Sequence, residues 1–335
     1  MFTWPKKMKG LGLLKRLCRR TRRPKYKRLK YLGSGTTARA YVGRIHRQIL
    51  VVKEIPMDTD IVFCDTEQSR GLEHKHIILH GFYEAYWTWQ KYSKDGAHTL
   101  CRASSWRIET ICASLLMSVN KHLPCDVFLG LTHSWTTRYK RYIAMPFAGK
   151  ELGEYELSTS RLQSVVLQVM IALYWAQDVH QFKHHDLHSS NVFFHNETVP
   201  ETWALPDGRL IRLPDTSIRA VIADFGHASL TDDGYRFTRM DVKDLDVGPG
   251  WGRWNSLLEG NEGYDLAVLV HSLLGEVSSS NSQVFLWSLA NAMKSIHPFH
   301  MTGKNRPSGN VRVTMFDLFS HEMFHEMFAD VRCSN

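Results

Sequence analysis

The chain has 335 residues, 43% of them hydrophobic and 22% charged, with a formal net charge of +9, a size and apolar content that suit one large domain or two lobes with a substantial core. No apolar run approaches the roughly 18 to 20 residues that cross a bilayer, and the basic start lacks the apolar stretch and small-residue site of a secretion signal, so neither membrane spanning nor export is indicated. Six cysteines, Cys18, Cys64, Cys101, Cys112, Cys125 and Cys333, show no C-x-x-C spacing; they speak against a disulfide framework or thiolate zinc site and for a reducing, intracellular setting, nucleus or cytoplasm.

The charge is unevenly placed. Residues 1–30 carry thirteen Lys or Arg and no acid, leaving 29 bases against 33 acids in the remainder. Repulsion at that density opposes folding, so 1–30 reads as a disordered arm. Nuclear import is the leading expectation, with a nucleic acid or other anionic surface as partner. A merely solvated tail and a membrane-surface helix using Leu11, Leu13, Leu14 and Leu17 are the other readings.

Gly33, Ser34, Gly35, Thr36, Thr37 and Ala38 follow, flanked by strand-forming residues as in a hairpin. Glycine lets a backbone approach a triphosphate and aim its amides at the oxygens, although two glycines alone are more often only a turn. The next strand, 48–55, is apolar except for Lys53 and the flanking polar residues, and a lysine in a buried strand needs an anionic partner. Ile108, Ile111, Cys112, Leu115, Leu116 and Val119 recur at helical spacing within 105–120, a helix that carries Glu109. The stretch between, with Tyr86, Trp87, Trp89 and Tyr92, is aromatic. Farther on, 141–149 reads as a strand ending at Met145, Pro146 and Ala148. Pro146 lacks an N–H but keeps its carbonyl, and Ala148 offers an amide N–H.

A long amphipathic helix over 161–182 directs Leu162, Val165, Val166, Val169, Met170 and Leu173 to a core and ends at His184-His185-Asp186-Leu187-His188-Ser189-Ser190-Asn191. A strand over 219–223 then ends in Asp224-Phe225-Gly226.

Glycine turn, strand lysine, apolar hinge, H-x-D-L-x-x-x-N and D-F-G occur in this order over residues 31–226, and the chain thereby resembles the eukaryotic-like protein kinases. The resemblance implies an α+β, two-lobed protein-kinase-like fold. Residues 31–147 would form a small antiparallel β N-lobe with one key helix and an insert at about 57–104, and residues 148–335 a larger, mainly helical C-lobe. It implies ATP and Mg2+ as cofactors. Val51, Met145, Pro146, Ala148 and the glycine turn would contact ATP, Lys53 its inner phosphates, with Glu109 as the favoured helix partner of Lys53 and Glu84 the second choice; Asn191 and Asp224 would hold the metal, and Asp186 would orient the acceptor hydroxyl. Asp265, early in a helix over 264–274, would brace the loop around Asp186. The implied activity is transfer of the γ-phosphate to Ser/Thr hydroxyls of proteins. A catalytically inactive scaffold and a small-molecule kinase are the alternatives.

The chain departs from the family pattern in places. His185 replaces an arginine that pairs with a phosphorylated activation loop, and His188 stands where many members have lysine. No A-P-E sequence occurs between Asp224 and Asp265, where Gly250-Trp251-Gly252-Arg253-Trp254 stands instead. About twenty extra residues before Asp224 read as a lengthened surface loop. Such divergence resembles kinases of large DNA viruses. One competing motif, His321-Glu322-Met323-Phe324-His325, fits the H-E-x-x-H zinc pattern. It is better read as part of a terminal amphipathic helix with Met315, Leu318, Phe319, Met323, Phe324 and Met327 packed inward.

Overall fold

The computed structural model describes residues 24–34, 38–56, 74–77, 87–91, 99–103, 105–137, 140–233, 235–239, 262–302, 306–308 and 311–328. The basic arm up to residue 23, the turn residues Gly35, Thr36 and Thr37, the alternative partner Glu84 and residues 250–254 lie outside them. In chain order the strands are β1 (Tyr26–Ser34), β2 (Arg39–Ile45), β3 (Gln48–Pro56), β4 (His74–Ile77), β5 (Trp87–Lys91), β6 (Thr99–Ala103), β7 (His133–Thr136), β8 (Lys140–Met145), β9 (Lys150–Glu151), β10 (Val192–His195), β11 (Thr202–Ala204), β12 (Leu210–Arg212), β13 (Arg219–Ile222), β14 (Leu230–Asp232), β15 (Tyr235–Arg239), β16 (His300–Thr302) and β17 (Arg306–Ser308). The α-helices are α1 (Ser105–Val119), α2 (Thr159–His180), α3 (Tyr264–Leu274), α4 (Ser280–Ile296) and α5 (Met315–Phe319). Among the described residues no helix is long and apolar enough to cross a membrane.

The described residues fall into two compact units. One takes those of Met1–Leu115, Gly130–Phe147 and Phe225–Val242, the other those of Leu116–Leu129, Ala148–Asp224 and Lys243–Asn335. A single division after residue 147 therefore needs two exchanges. Asn120 carries its neighbours into the second unit: its side chain donates to Phe128 O and accepts from the N–H groups of Val127 and Phe128. The segment after Asp224 joins the first unit through strand pairing.

The first unit contains a five-stranded antiparallel sheet in the order β1-β2-β3-β8-β7. Side chains alternate along a strand, so β3 serves two faces. Leu50 and Val52 pack on one with Ile45, Trp135, Tyr142 and Ala144. Ile55, on the other, packs with Trp106 and Ile143, against which Ala38 and Met145 also lie. A second five-stranded sheet has the order β14-β15-β6-β5-β4. The stretch expected as an insert thus supplies three strands, and the segment after Asp-Phe-Gly supplies the other two.

Tyr26 to Lys30, inside the stretch expected as a disordered arm, belong to β1. Here two opposite charges are brought together: Glu54, buried in β3, accepts from Arg28 and, at 2.8 Å, from Lys140. Tyr26 fixes the strand by packing edge-on against Trp135 and Tyr142.

In the second unit α2 is buried along most of its length, with Gln168 bridging to β13: it donates to Ile218 O and accepts from Ala220 N, both at 2.9 Å. The expected lengthened surface loop is instead a folded hairpin. β11 and β12 pair around the turn at Leu205–Gly208, and Trp203, Leu205 and Ile211 are buried. Apolar residues on both sides of a Pro-Asp-Gly turn are the signal that favours this outcome over an open loop. The terminal helix is also corrected. α5 stops at Phe319, and Glu322–Met327 is a separate 3-10 helix, although Met315, Leu318, Phe319 and Phe324 are buried as expected.

Burial pushes the Glu54 carboxyl up, but the hydrogen bonds from Arg28 and Lys140 outweigh it and hold the group below its ordinary value of 4.5. A depressed folded pKa gives stability that is complete above the unfolded value and is lost as pH falls through the folded one. Glu54→Gln is therefore expected to cost about 1–2 kcal/mol at neutral pH, both cationic partners being partly exposed and free to rehydrate. Denaturant titrations from about pH 7 to about pH 3 should show a flatter acid limb in the variant than in the wild type.

Candidate functional site

Each unit holds one constellation of the residues singled out in the sequence. In the first, the alternation of β3 places Lys53 on the face that carries Ile55, where α1 brings Glu109. Lys53 Nζ lies 3.1 Å from both Glu109 carboxylate oxygens, and the side chains are 17% and 4% exposed. Lys53 sits in register with Ala40 on one side and Ile143 on the other, and Val51 with Met145. The structure thus brings together Lys53, Glu109, Val51, Met145 and Ala38. Gly33 pairs with Ala40 at the end of β1, and a Cβ there would meet nothing within 4 Å. Packing does not explain that glycine. Pro146 is exposed and Ala148 partly so, beyond the end of β8.

In the second unit α2 ends on a left-handed Gln181, whose N–H bonds back to Gln177 O, and the chain turns into the loop at Lys183–Asn191. Lys183, His184, His185 and Leu187 point inward and are buried, while the Asp186 side chain is 33% exposed. His185 has φ 64°, a left-handed conformation that disfavours a residue with a Cβ. A buried carboxylate holds it there: Asp265 Oδ2 accepts from the His184 N–H at 2.7 Å and Oδ1 from the His185 N–H at 2.8 Å.

Asn191 closes the loop. Its Nδ2 donates to Asp186 O at 2.7 Å and lies 3.2 Å from His188 Nε2, whose ring is 3.8 Å from Asp186 Oδ2. Its backbone O accepts from Ala223 N at 3.0 Å, and Ala223 O lies 2.9 Å from His184 Nε2. The residue before Asp224 is therefore tied to the Asp186 loop on two sides. Asp224 is itself left-handed, with φ 62°. Two left-handed non-glycine residues in one small region are strain that the surrounding hydrogen bonds must offset, a pattern that clusters at functional sites.

The donor set suits a hard cation. Asn191 Oδ1 and the Asp224 carboxylate are oxygen donors of the kind a hard cation such as magnesium takes. The zinc reading of 321–325 fares differently. His321 Nδ1 accepts from Met323 N at the start of a 3-10 helix, which at three residues per turn does not stack positions four apart. Among the described residues no group of three or more His, Cys, Asp or Glu could hold a metal.

Four contributors carried no legible role in the sequence. Gly149 has φ 107°, and a Cβ would lie 2.2 Å from Phe194 O, so only glycine lets the chain cross β10. Ser189 N–H donates to Ser272 Oγ, and Ser189 Oγ to Glu276. These serines lie more than eighty positions apart, and no local pattern joins them.

No protein-family model matches the chain, and no curated protein matches it. Among solved structures 1821 chains match. One is described as the "autoinhibited serine kinase domain of the giant muscle protein titin", at 15% identity and a TM-score of 0.34, with 61% of this chain and 45% of that chain covered. The chain thus spans under half the length of that neighbour.

The glycines provide a stability test. Gly149→Ala should cost about 3 kcal/mol, combining left-handed strain with a backbone clash, whereas Gly208→Ala, at φ 87° with nothing within 4 Å, should cost only about 1 kcal/mol. Denaturant midpoints of the two variants measure the steric part as their difference.

Proposed function

We propose that the chain is an ATP- and magnesium-dependent protein kinase that transfers the γ-phosphate to Ser/Thr hydroxyls of protein substrates. The observation that carries the reading is the Lys53–Glu109 pair. A buried ion pair contributes little net stability once both groups are desolvated, so a lysine kept in an apolar strand and aligned by a carboxylate suits the binding of an anion. In the proposed mechanism Lys53 contacts the inner phosphates of ATP, and Glu109 holds its ammonium in place. Residues 33–38 would cover the phosphates, and Val51, Met145, Pro146 and Ala148 would serve the adenine. Asn191 and Asp224 hold magnesium, which supplies charge neutralisation at the transferring phosphate. Asp186, partly exposed and fixed through its carbonyl by Asn191, accepts the hydrogen bond of the attacking hydroxyl and orients it. Serine or threonine is the favoured acceptor, since the 183–191 loop contains no arginine of the kind associated with tyrosine acceptors.

Radiolabelled ATP with magnesium, offered to the protein alone and with a generic basic protein, tests the reading. Wild type should incorporate label on serine or threonine. Asp186→Asn and Asp224→Asn should each lower the rate at least about a thousandfold with unchanged melting temperature. Retained activity in Asp224→Asn overturns the mechanism. ATP binding without transfer in the wild type moves the assignment to a scaffold or a small-molecule kinase.

A further inference from the structure

The segment after Asp224-Phe225-Gly226 has an unexpected neighbour. β15 pairs with β6 in parallel, in continuous register from Tyr235↔Thr99 to Arg239↔Ala103, and β6 belongs to the stretch that the sequence presented as an unexplained insert. β15 lies inside its sheet, between β14 and β6, so both of its backbone edges are occupied. Arg236, Phe237 and Thr238 are buried. On the other side of the pairing, β6 ends at Ala103 and α1 begins at Ser105. One residue therefore separates the strand that grips 235–239 from the helix that carries Glu109, and Glu109 lies only about one turn into that helix.

We infer that the insert is a built-in brace: β6 holds the segment following Asp-Phe-Gly and, through its one-residue link to α1, keeps Glu109 against Lys53. The chain then orders this segment by strand pairing and needs no added phosphate to do so. A second observation agrees. His185, in the position where the family resemblance implies a phosphate-pairing arginine, is buried, and its N–H is committed to Asp265. The consequence for turnover rests on the kinase reading, whereas the coupling of β15 to α1 does not.

Hydrogen exchange on the full chain separates the two. Thr238→Pro removes an amide from β15, and a Gly-Gly insertion after Ala103 leaves both elements intact while slackening the link. With Thr238→Pro, exchange at 99–103 and in the first two turns of α1 should rise together by at least about tenfold while α2 keeps its protection. The insertion should raise exchange in α1 alone and leave 99–103 and 235–239 protected. Unchanged α1 exchange in the insertion variant overturns the brace, and that variant decides alone if Thr238→Pro also unfolds α2. Phosphatase-treated wild type should keep its transfer rate, and a rate lost on phosphatase treatment overturns the claim that no phosphate is needed. Wild type without ATP turnover removes the kinase reading and leaves the exchange result to judge the brace.

Discussion

A carboxylate taken out of water organises the second unit. Asp265 is 1% exposed, and burial pushes its pKa upward, yet it accepts two backbone N–H groups that would otherwise be buried without partners. Those groups belong to His184 and to the left-handed His185. The conformation that turns Asp186 outward thus depends on a residue eighty positions away, and the strain at His185 persists because this carboxylate and the loop's own hydrogen bonds over-determine it. Asn191 then transmits the same geometry to Ala223 and so to Asp224. Asp265, the His184 and His185 amides, Asp186, Asn191 and Ala223 are joined in one connected set of hydrogen bonds, which low internal polarity strengthens.

The first unit uses charge on both faces of one strand. Glu54 and Lys53 are adjacent and point oppositely, and each meets a partner of opposite sign: Arg28 and Lys140 for Glu54, Glu109 for Lys53. The first pairing anchors β1 and explains why basic residues expected to repel into an arm enter the sheet. The second joins a strand to a helix 56 positions later. Its alignment depends on where α1 starts, and β6 sets that start. The insert is thereby part of the architecture that positions Glu109.

Much of this was readable where the signal is local. The helical spacing of Ile108, Ile111, Leu115 and Val119 located α1 and favoured Glu109, and the apolar periodicity after Arg161 located α2 to within two residues at each end. Asp186 and Asn191 were singled out from one loop by their five-residue spacing, and the structure joins them through the Asn191 Nδ2 bond to Asp186 O. Other features were misread because the deciding partner is remote. The roughly twenty extra residues before Asp224 were read as a lengthened surface loop: their Pro-Asp-Gly turn is a local signal, but the burial of Trp203 and Ile211 is set by the unit around them. The end of the chain looked like one helix because apolar spacing continues across Ser320, where the backbone changes to a 3-10 turn.

The sequence alone determined the character of each segment, the order of the five motifs and the residue types available for phosphate and metal chemistry, all of which follow from side-chain chemistry and from periods of 2 and 3.6 residues. The tertiary structure decided which distant groups meet: Asp265 with the His184 and His185 amides, Ser189 with Ser272 and Glu276, Arg28 with Glu54, and β15 with β6. The physical reason is that strand pairing and buried hydrogen bonds are selected by the packing of the whole unit against the entropy of closing long loops. A short stretch of sequence carries no record of that balance, and parallel pairing between residues 99–103 and 235–239 is the case in which the distance is greatest.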